Sequence, residues 1–293
     1  MVSARTKIAV PTSISAEEVA RLQERFLAYA RSFYADDPES DLKKAIDLKI
    51  EHTLRVCEES RYISAALELG ADARHLAEIA ALFHDVGRFP QYAHYHTFSD
   101  RKSEDHAALG VRVLRERAIL ATLGPAEDLL LRVIGYHNRL ALPGLEDETS
   151  ACLFFSHLLR DADKLDIYRV VTDYYRRPAS QRNGWVAWEL PDTPGLSEAV
   201  CDDLMAGRVV HNDHLRNLND FKLLQVGWVY DINFAPSLRR IRERGYLGML
   251  RDALPDSPRI EEIFEKIEAY MAKRMDGDEF LDLLISVKEA TYV

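Results

Sequence analysis

The segment Ala81-Leu82-Phe83-His84-Asp85-Val86-Gly87-Arg88 sets a histidine beside an aspartate at the end of an apolar helical run, with a glycine to end the helix and a cation just beyond. Burying two ionisable neighbours at a helix end is costly unless something pairs with them. Taken alone, the octapeptide reads equally well as a helix C-terminus with one solvated Asp and one core His. The balance changes with His52, His106, His137 and Asp163, several of which also fall on or at the end of an apolar stripe. Imidazoles and carboxylates without thiolates suit Fe, Mn, Zn, Co or Ni better than Ca or a soft metal. The set is larger than one tetrahedral ion needs. Two ions bridged by the one carboxylate able to reach both, for which Asp85 is the natural choice, would account for it. A two-metal site with a bridging hydroxide is suited to phosphoester hydrolysis, because the ions lower the pKa of water and clamp the attacking and leaving oxygens from about 3.5–4 Å apart.

Positioning such a set takes a helix for nearly every ligand. Ser15-Ala16-Glu17-Glu18 fits a capping box, with Ser15 as N-cap and Glu18 able to bond back, and the helix it opens runs to about Tyr34 before Asp36-Asp37-Pro38. A second helix starts near Asp41 and continues towards Gly70, with Ala45, Leu48, His52 and Val56 on its inward face. Asp72 caps the next, whose small-residue stripe Ala77, Ala80/Ala81 leads to His84 and lets a neighbouring helix come close. From Phe89 to Asp105 the chain reads as a polar, aromatic loop. His106 stands in the first turn of a helix carrying Ala107, Val111, Leu114, Ala118 and Ala121 on one stripe. The helix after it brings Leu130, Val133/Ile134 and His137 into line, and one from about Ser150 does the same for Leu159, Asp163 and Ile167. Strand-type alternation is scarce, so the fold class is all-α.

Beyond Arg176 the character changes. Pro178, Gly184, Pro191, Pro194 and Gly195 surround Trp185 and Trp188, which reads as a long ordered loop or flap. Residues 197–206 and 218–252 read as helical, and Ser257-Pro258 opens a last helix with Ile260, Ile263/Phe264, Ile267 and Tyr270/Met271 on its apolar face. The expected organisation is a metal-binding helical core over 16–175 and a helical extension over 176–293 packed on it.

The chain has 293 residues, 47% hydrophobic and 29% charged, which excludes disorder and low complexity. Its net charge of −10 argues against a nucleic acid polymer as partner while leaving room for a small anion at a local cation or metal. Cys57, Cys152 and Cys201 are widely spaced and form no CxxC, so neither a disulfide framework nor a thiolate zinc site is supported. Met1 to Ser15 holds no apolar run of signal-peptide length and no stretch approaches a membrane span. The expectation is a reduced, cytoplasmic protein with no membrane partner.

The order His52, His84-Asp85, His106, His137, Asp163 resembles the HD-domain superfamily of metal-dependent phosphohydrolases over about residues 41–170. His84-Asp85 in LFHDVGR and Asp163 in DADKLD resemble the superfamily core. His106 in DHAALGVRVL and His137 in VIGYHN resemble the additional pair of its two-metal branches. The resemblance implies an all-α core whose successive helices carry the metal ligands. Members that cleave cyclic di-GMP carry a GYP-type segment after the histidine pair. Here His137 is followed by Asn138-Arg139-Leu140-Ala141-Leu142-Pro143-Gly144, so that substrate does not carry over. Those members usually have Lys where this chain has Arg88, which keeps the charge and adds a planar fork for phosphate.

The resulting expectation is cleavage of a phosphomonoester or phosphodiester, of a nucleotide-like substrate, by a metal-bound hydroxide. His52, His84, Asp85, His106, His137 and Asp163 hold divalent ions, two of them, drawn from Fe, Mn, Co, Ni or Zn with Mg admitted. Asp85 and Arg88 serve the chemistry. Arg88, Lys102 and His96 meet the substrate, with His94 also at the mouth, and Asp161 orients a ligand. Lys164 pairs with a neighbouring carboxylate. His211, His214 and the Arg239-Arg240-Arg242-Arg244 run belong to the surface or to a contact between subunits of a homodimer. Two alternatives stay open: a di-iron oxygenase on the same ligand set, and a non-catalytic sensor on the same fold.

Overall fold

The computed structural model describes residues 8, 10–34, 40–178 and 190–276. The Trp185 and Trp188 segment, the stop at Asp36-Asp37-Pro38 and the first seven residues lie outside the described residues. Among the described residues all regular structure is helical: α1 (Ala16–Arg31), α2 (Asp41–Ala66), α3 (Ala71–Phe83), α4 (Arg88–Tyr95), α5 (His106–Glu116), α6 (Ala126–Tyr136), α7 (Ser150–Arg176), α8 (Glu198–Met205), α9 (Leu218–Gly227), α10 (Ala235–Glu243), α11 (Tyr246–Asp252) and α12 (Pro258–Asp276). Short 3-10 turns interrupt them, among them Asp100–Lys102. None of these helices is long and apolar enough to cross a membrane.

The chain divides into two compact units, Met1–Asp163 and Lys164–Val293. In the first, α3 packs against α1, α2 and α6, and α4 against α2 and α5. Its apolar stripe is complete, with Leu76, Ala77, Ala80, Ala81 and Phe83 all buried. Phe26 of α1 sets its ring against Phe83 at 6.0 Å and Phe89 at 5.7 Å, so one aromatic cluster fixes both the end of α3 and the start of α4.

Gly87 joins these two helices, and sequence reasoning gave it the wrong task. Its φ of −70° is ordinary, so it is no left-handed helix stop. A Cβ there would lie 2.1 Å from the His106 carbonyl oxygen and 2.6 Å from the Gly110 nitrogen. Gly87 is needed because the backbone of α5 lies directly on it. Bare backbone at 87 and 110 is what brings His106 up to His84 and Asp85.

Several expectations change in detail. Ser15 caps α1 through Glu18 N at 3.2 Å, but the Glu18 carboxylate bonds to Arg21 and to Thr122 at 2.6 Å rather than back to the cap. The N-cap of α3 is Gly70, while Asp72 accepts from Ile14 N at 2.9 Å and pins the incoming chain. Residues 89–105 are not a loop throughout, since Phe89 and Tyr92 are buried and support α4. α5 ends at Glu116, and Ala118, left-handed with φ 48°, and Ala121 are exposed rather than on its stripe. Leu48 is 44% exposed, and the inward position one turn before His52 belongs to Lys49.

In the second unit, residues 218–252 are helical as expected, divided into α9, a 3-10 turn, α10 and α11. Phe234, Pro236 and a left-handed Gly245 (φ 67°) break the run. α12 buries Ile260, Ile263, Ile267 and Met271 as the spacing predicts. Lys164 pairs with Asp231 at 2.7 Å, a carboxylate far along the chain rather than a neighbour.

Candidate metal centre

α3 and α6 end alike. His84 and His137 are their C-cap residues, and each turns its Nδ1 onto a carbonyl of the last turn, Ala81 O and Ile134 O, both at 2.7 Å. A carbonyl only accepts, so Nδ1 carries the proton and Nε2 is left with a bare lone pair. The contact also satisfies a carbonyl that a helix end leaves open. His106 reaches the same state from the other end of a helix. It is the first residue of α5, capped by Asp105 through Ala107 N at 2.8 Å and Ala108 N at 3.0 Å. Its Nδ1 donates to Asp100 Oδ2 at 2.7 Å, a carboxylate–imidazole pair of the kind that orients metal-binding histidines.

These tautomers put two unprotonated nitrogens, His106 Nε2 and His137 Nε2, 2.9 Å apart. With no proton between them, the lone pairs repel unless a cation is shared. The spacing suits adjacent ligands at right angles on an ion with bonds of about 2.1 Å, for which about 3.0 Å is expected. A second gap lies beside the first. His84 Nε2 and Asp163 Oδ1 are buried atoms without a hydrogen bond, 3.7 Å from each other, and His52 Nε2 is 3.2 Å from the same Asp163 oxygen. Orphaned buried atoms of this kind are rare unless a water or ion serves them. The residues therefore fit metal.

Asp85 links the two gaps. Its Oδ2 lies 3.5 Å from His52 Nε2 and 3.6 Å from His84 Nε2, while its Oδ1 lies 3.3 Å from His106 Nε2 and 3.7 Å from His137 Nε2. Two triads result, His52/His84/Asp163 and Asp85/His106/His137, each with ligand atoms within 4.8 Å of one another. All the expected ligands are thus brought together, from α2, α3, α5, α6 and α7 and the turn after α3.

Charge favours a cation here. Burial pushes the His84 imidazole down to about 4, and the Asp85 and Asp163 carboxylates only partly oppose it. His106 is likewise lowered to about 4 by burial, against the hydrogen bond it donates to Asp100. Both rings are neutral ligands near pH 7. Burial raises the Asp85 carboxyl, yet Lys49 foremost, then His84, His137 and Arg88, hold it well below the usual range. Asp163, raised by burial, is lowered further by His52 and His84.

The other candidates take different places. Arg88 Nη1 donates to Phe98 O (2.6 Å), Gln91 Oε1 (2.8 Å) and Asp100 Oδ1 (2.9 Å), and its Nε lies 3.5 Å from Asp85 Oδ1. It braces the carboxylate that orients His106. His96 is exposed and left-handed (φ 52°) at the end of α4, and His94 and Lys102 are exposed. Asp161 is fully buried on α7.

Sequence reasoning passed over Lys49, whose Nζ reaches Asp85 Oδ2 at 2.7 Å, and gave Asp100 no role. It also missed Gln91, which donates from Nε2 to Asp100 Oδ1 at 2.8 Å and to Ser103 and Glu104. Lys49 stands one turn before His52, a spacing that could have marked it had its type not suggested solvent.

The first unit is thus an all-helical body enclosing histidine–aspartate clusters that could hold a metal ion. Residues 50–168 match the family model of the HD domain, a family whose members are commonly metal-dependent hydrolases. No curated protein and no solved structure matches the chain.

Proposed function

We propose that this protein is a metal-dependent phosphohydrolase that cleaves a phosphomonoester or phosphodiester of a small, nucleotide-like substrate. The observation that carries the reading is Asp85, with one carboxylate oxygen facing each of two ligand triads. Two divalent ions bound there supply a more acidic water and positive charge for the phosphoryl oxygens. The chain's own residues do the rest. His84 and His137 hold their Nε2 atoms inward through bonds to their own helix ends, and Asp100 does the same for His106. Arg88 and Gln91 keep Asp100 in place. The neutral rings and ionised carboxylates leave the centre with net negative charge, which favours divalent cations over a bare anion.

The test is a phosphatase and phosphodiesterase screen over a nucleotide panel, repeated with Mn, Fe, Co, Ni and Mg. Metal-dependent release of phosphate or of a nucleoside monophosphate supports the reading. Bound iron with substrate-linked oxygen consumption and no phosphate release would sink it in favour of an oxygenase on the same ligands.

A further inference from the structure

Lys49 is the one cation whose ammonium nitrogen lies within hydrogen-bond distance of the bridging carboxylate among the contacts described above. It sits on α2 one turn before His52, and its Nζ donates to Asp85 Oδ2 at 2.7 Å. Its side chain is 17% exposed, close to the 19% of Asp163, whereas His84 is fully enclosed. The Lys49 side chain is thus partly open to solvent while its ammonium bonds to a carboxylate that is almost fully enclosed. The Lys49 stem leans over the Phe98 ring, with Nζ 5.3 Å from its centroid, so the ammonium is held near Asp85. Arg88, the cation that the sequence favours for phosphate, has one guanidinium nitrogen shared among Phe98 O, Gln91 and Asp100.

We propose that Lys49 is the phosphate-binding residue of this centre, its ammonium meeting a phosphoryl oxygen beside the bridging Asp85. The proposal rests on the phosphohydrolase reading and narrows it to substrates that place an anionic oxygen next to α2. An ammonium has three N–H donors, and Asp85 takes one. That leaves two N–H donors beside Asp85 for an anionic oxygen.

The experiment compares wild type, Lys49→Met and Lys49→Arg by Mn²⁺ content after equilibrium dialysis and by calorimetric binding of inorganic phosphate to the Mn²⁺-loaded proteins. Lys49→Met is expected to hold Mn²⁺ as well as wild type, since Lys49 belongs to neither ligand triad. Its phosphate affinity falls roughly tenfold to hundredfold, the range for a hydrogen bond to a charged group. Lys49→Arg restores part of that loss. In turnover, Lys49→Met raises KM more than it lowers kcat.

Phosphate binding within twofold of wild type in Lys49→Met overturns the proposal. So does loss of Mn²⁺ from that variant, which would make Lys49 a brace for Asp85 rather than a phosphate contact. Failure of the wild type to take up any divalent ion brings down the phosphohydrolase reading itself, a result visible before any variant is made.

Discussion

Each unit of this chain buries carboxylates, yet the two do opposite things with them. In the second unit Asp220 is fully buried and accepts from Ser197 N at 2.8 Å, Ser197 Oγ at 2.5 Å and Arg216 N at 2.9 Å. Asp203 pairs there with His214 Nδ1 at 2.6 Å and Arg208 at 2.9 Å, the same residue types as the metal centre. Every such bond closes on the protein. In the first unit the bare nitrogens of His84, His106 and His137 and one oxygen of Asp163 converge on one another, with Asp85 between them. Among the described residues, the groups of three ligand atoms able to share an ion all fall in the first unit. A buried carboxylate is therefore no sign of a site by itself. What distinguishes the site is unfinished hydrogen bonding shared by several ionisable groups at one point.

The contrast can be broken from either side. Asp220→Ala leaves backbone donors of Ser197 and Arg216 without a buried acceptor, and a loss of about 3 kcal/mol of stability is expected. Chemical denaturation measures it, and the metal content of the folded fraction should not change. Asp220→Ala protein that sheds its metal would erase the division between structural and metal-binding carboxylates.

Gly87→Ala sharpens the other side. A methyl at 87 meets the α5 backbone, which has no flexible end to yield, so the two helices must part at a cost of about 1–3 kcal/mol. The movement separates His106 from Asp85, so metal should be lost beyond what the stability change accounts for. Gly87→Ala protein with normal metal content would show that the close contact at 87 does not set the centre.

Asp100→Ala probes the orientation of His106 alone. Removing such a carboxylate partner weakens metal binding by about tenfold to hundredfold. The loss should fall on the Asp85/His106/His137 group and leave the other group filled, which a stepwise Mn²⁺ titration resolves. Equal weakening of both steps would mean that the two groups are not separable.

The smallest effect is one of pH. In metal-free protein His84 and His106 are lowered to about 4 against an ordinary 6.5. The unfolded chain binds more protons between those values, so stability declines as pH falls from about 6.5 towards 4. Thermal melts of chelator-treated protein across that range should show the decline. A pH-independent melt would show that these rings are not held neutral.

Much of this was legible in the chain. Helical spacing placed His84, His137 and Asp163, because apolar stripes lead to each of them and the fold follows those stripes. The core of α3 and the face of α12 followed from the same rule. What escaped depended on direction rather than period. Leu48 and Lys49 are adjacent, and apolar type favoured Leu48, but the packing of α2 turns Lys49 inward to meet Asp85. Gly87 looked like a stop because glycine so often is one, and only the backbone of α5 lying against it reveals its role. Asp100 and Gln91 are polar residues in a segment that reads as loop, and their value lies in partners brought near by tertiary folding.

The central claim is that Asp85 joins two metal-binding groups, and the most direct measurement is the number of divalent ions per chain in wild type and in Asp85→Ala. The account predicts two for wild type and, for the variant, folded protein retaining at most one weakly held ion. Two tightly held ions in Asp85→Ala, or none in wild type under saturating Mn²⁺, would contradict it.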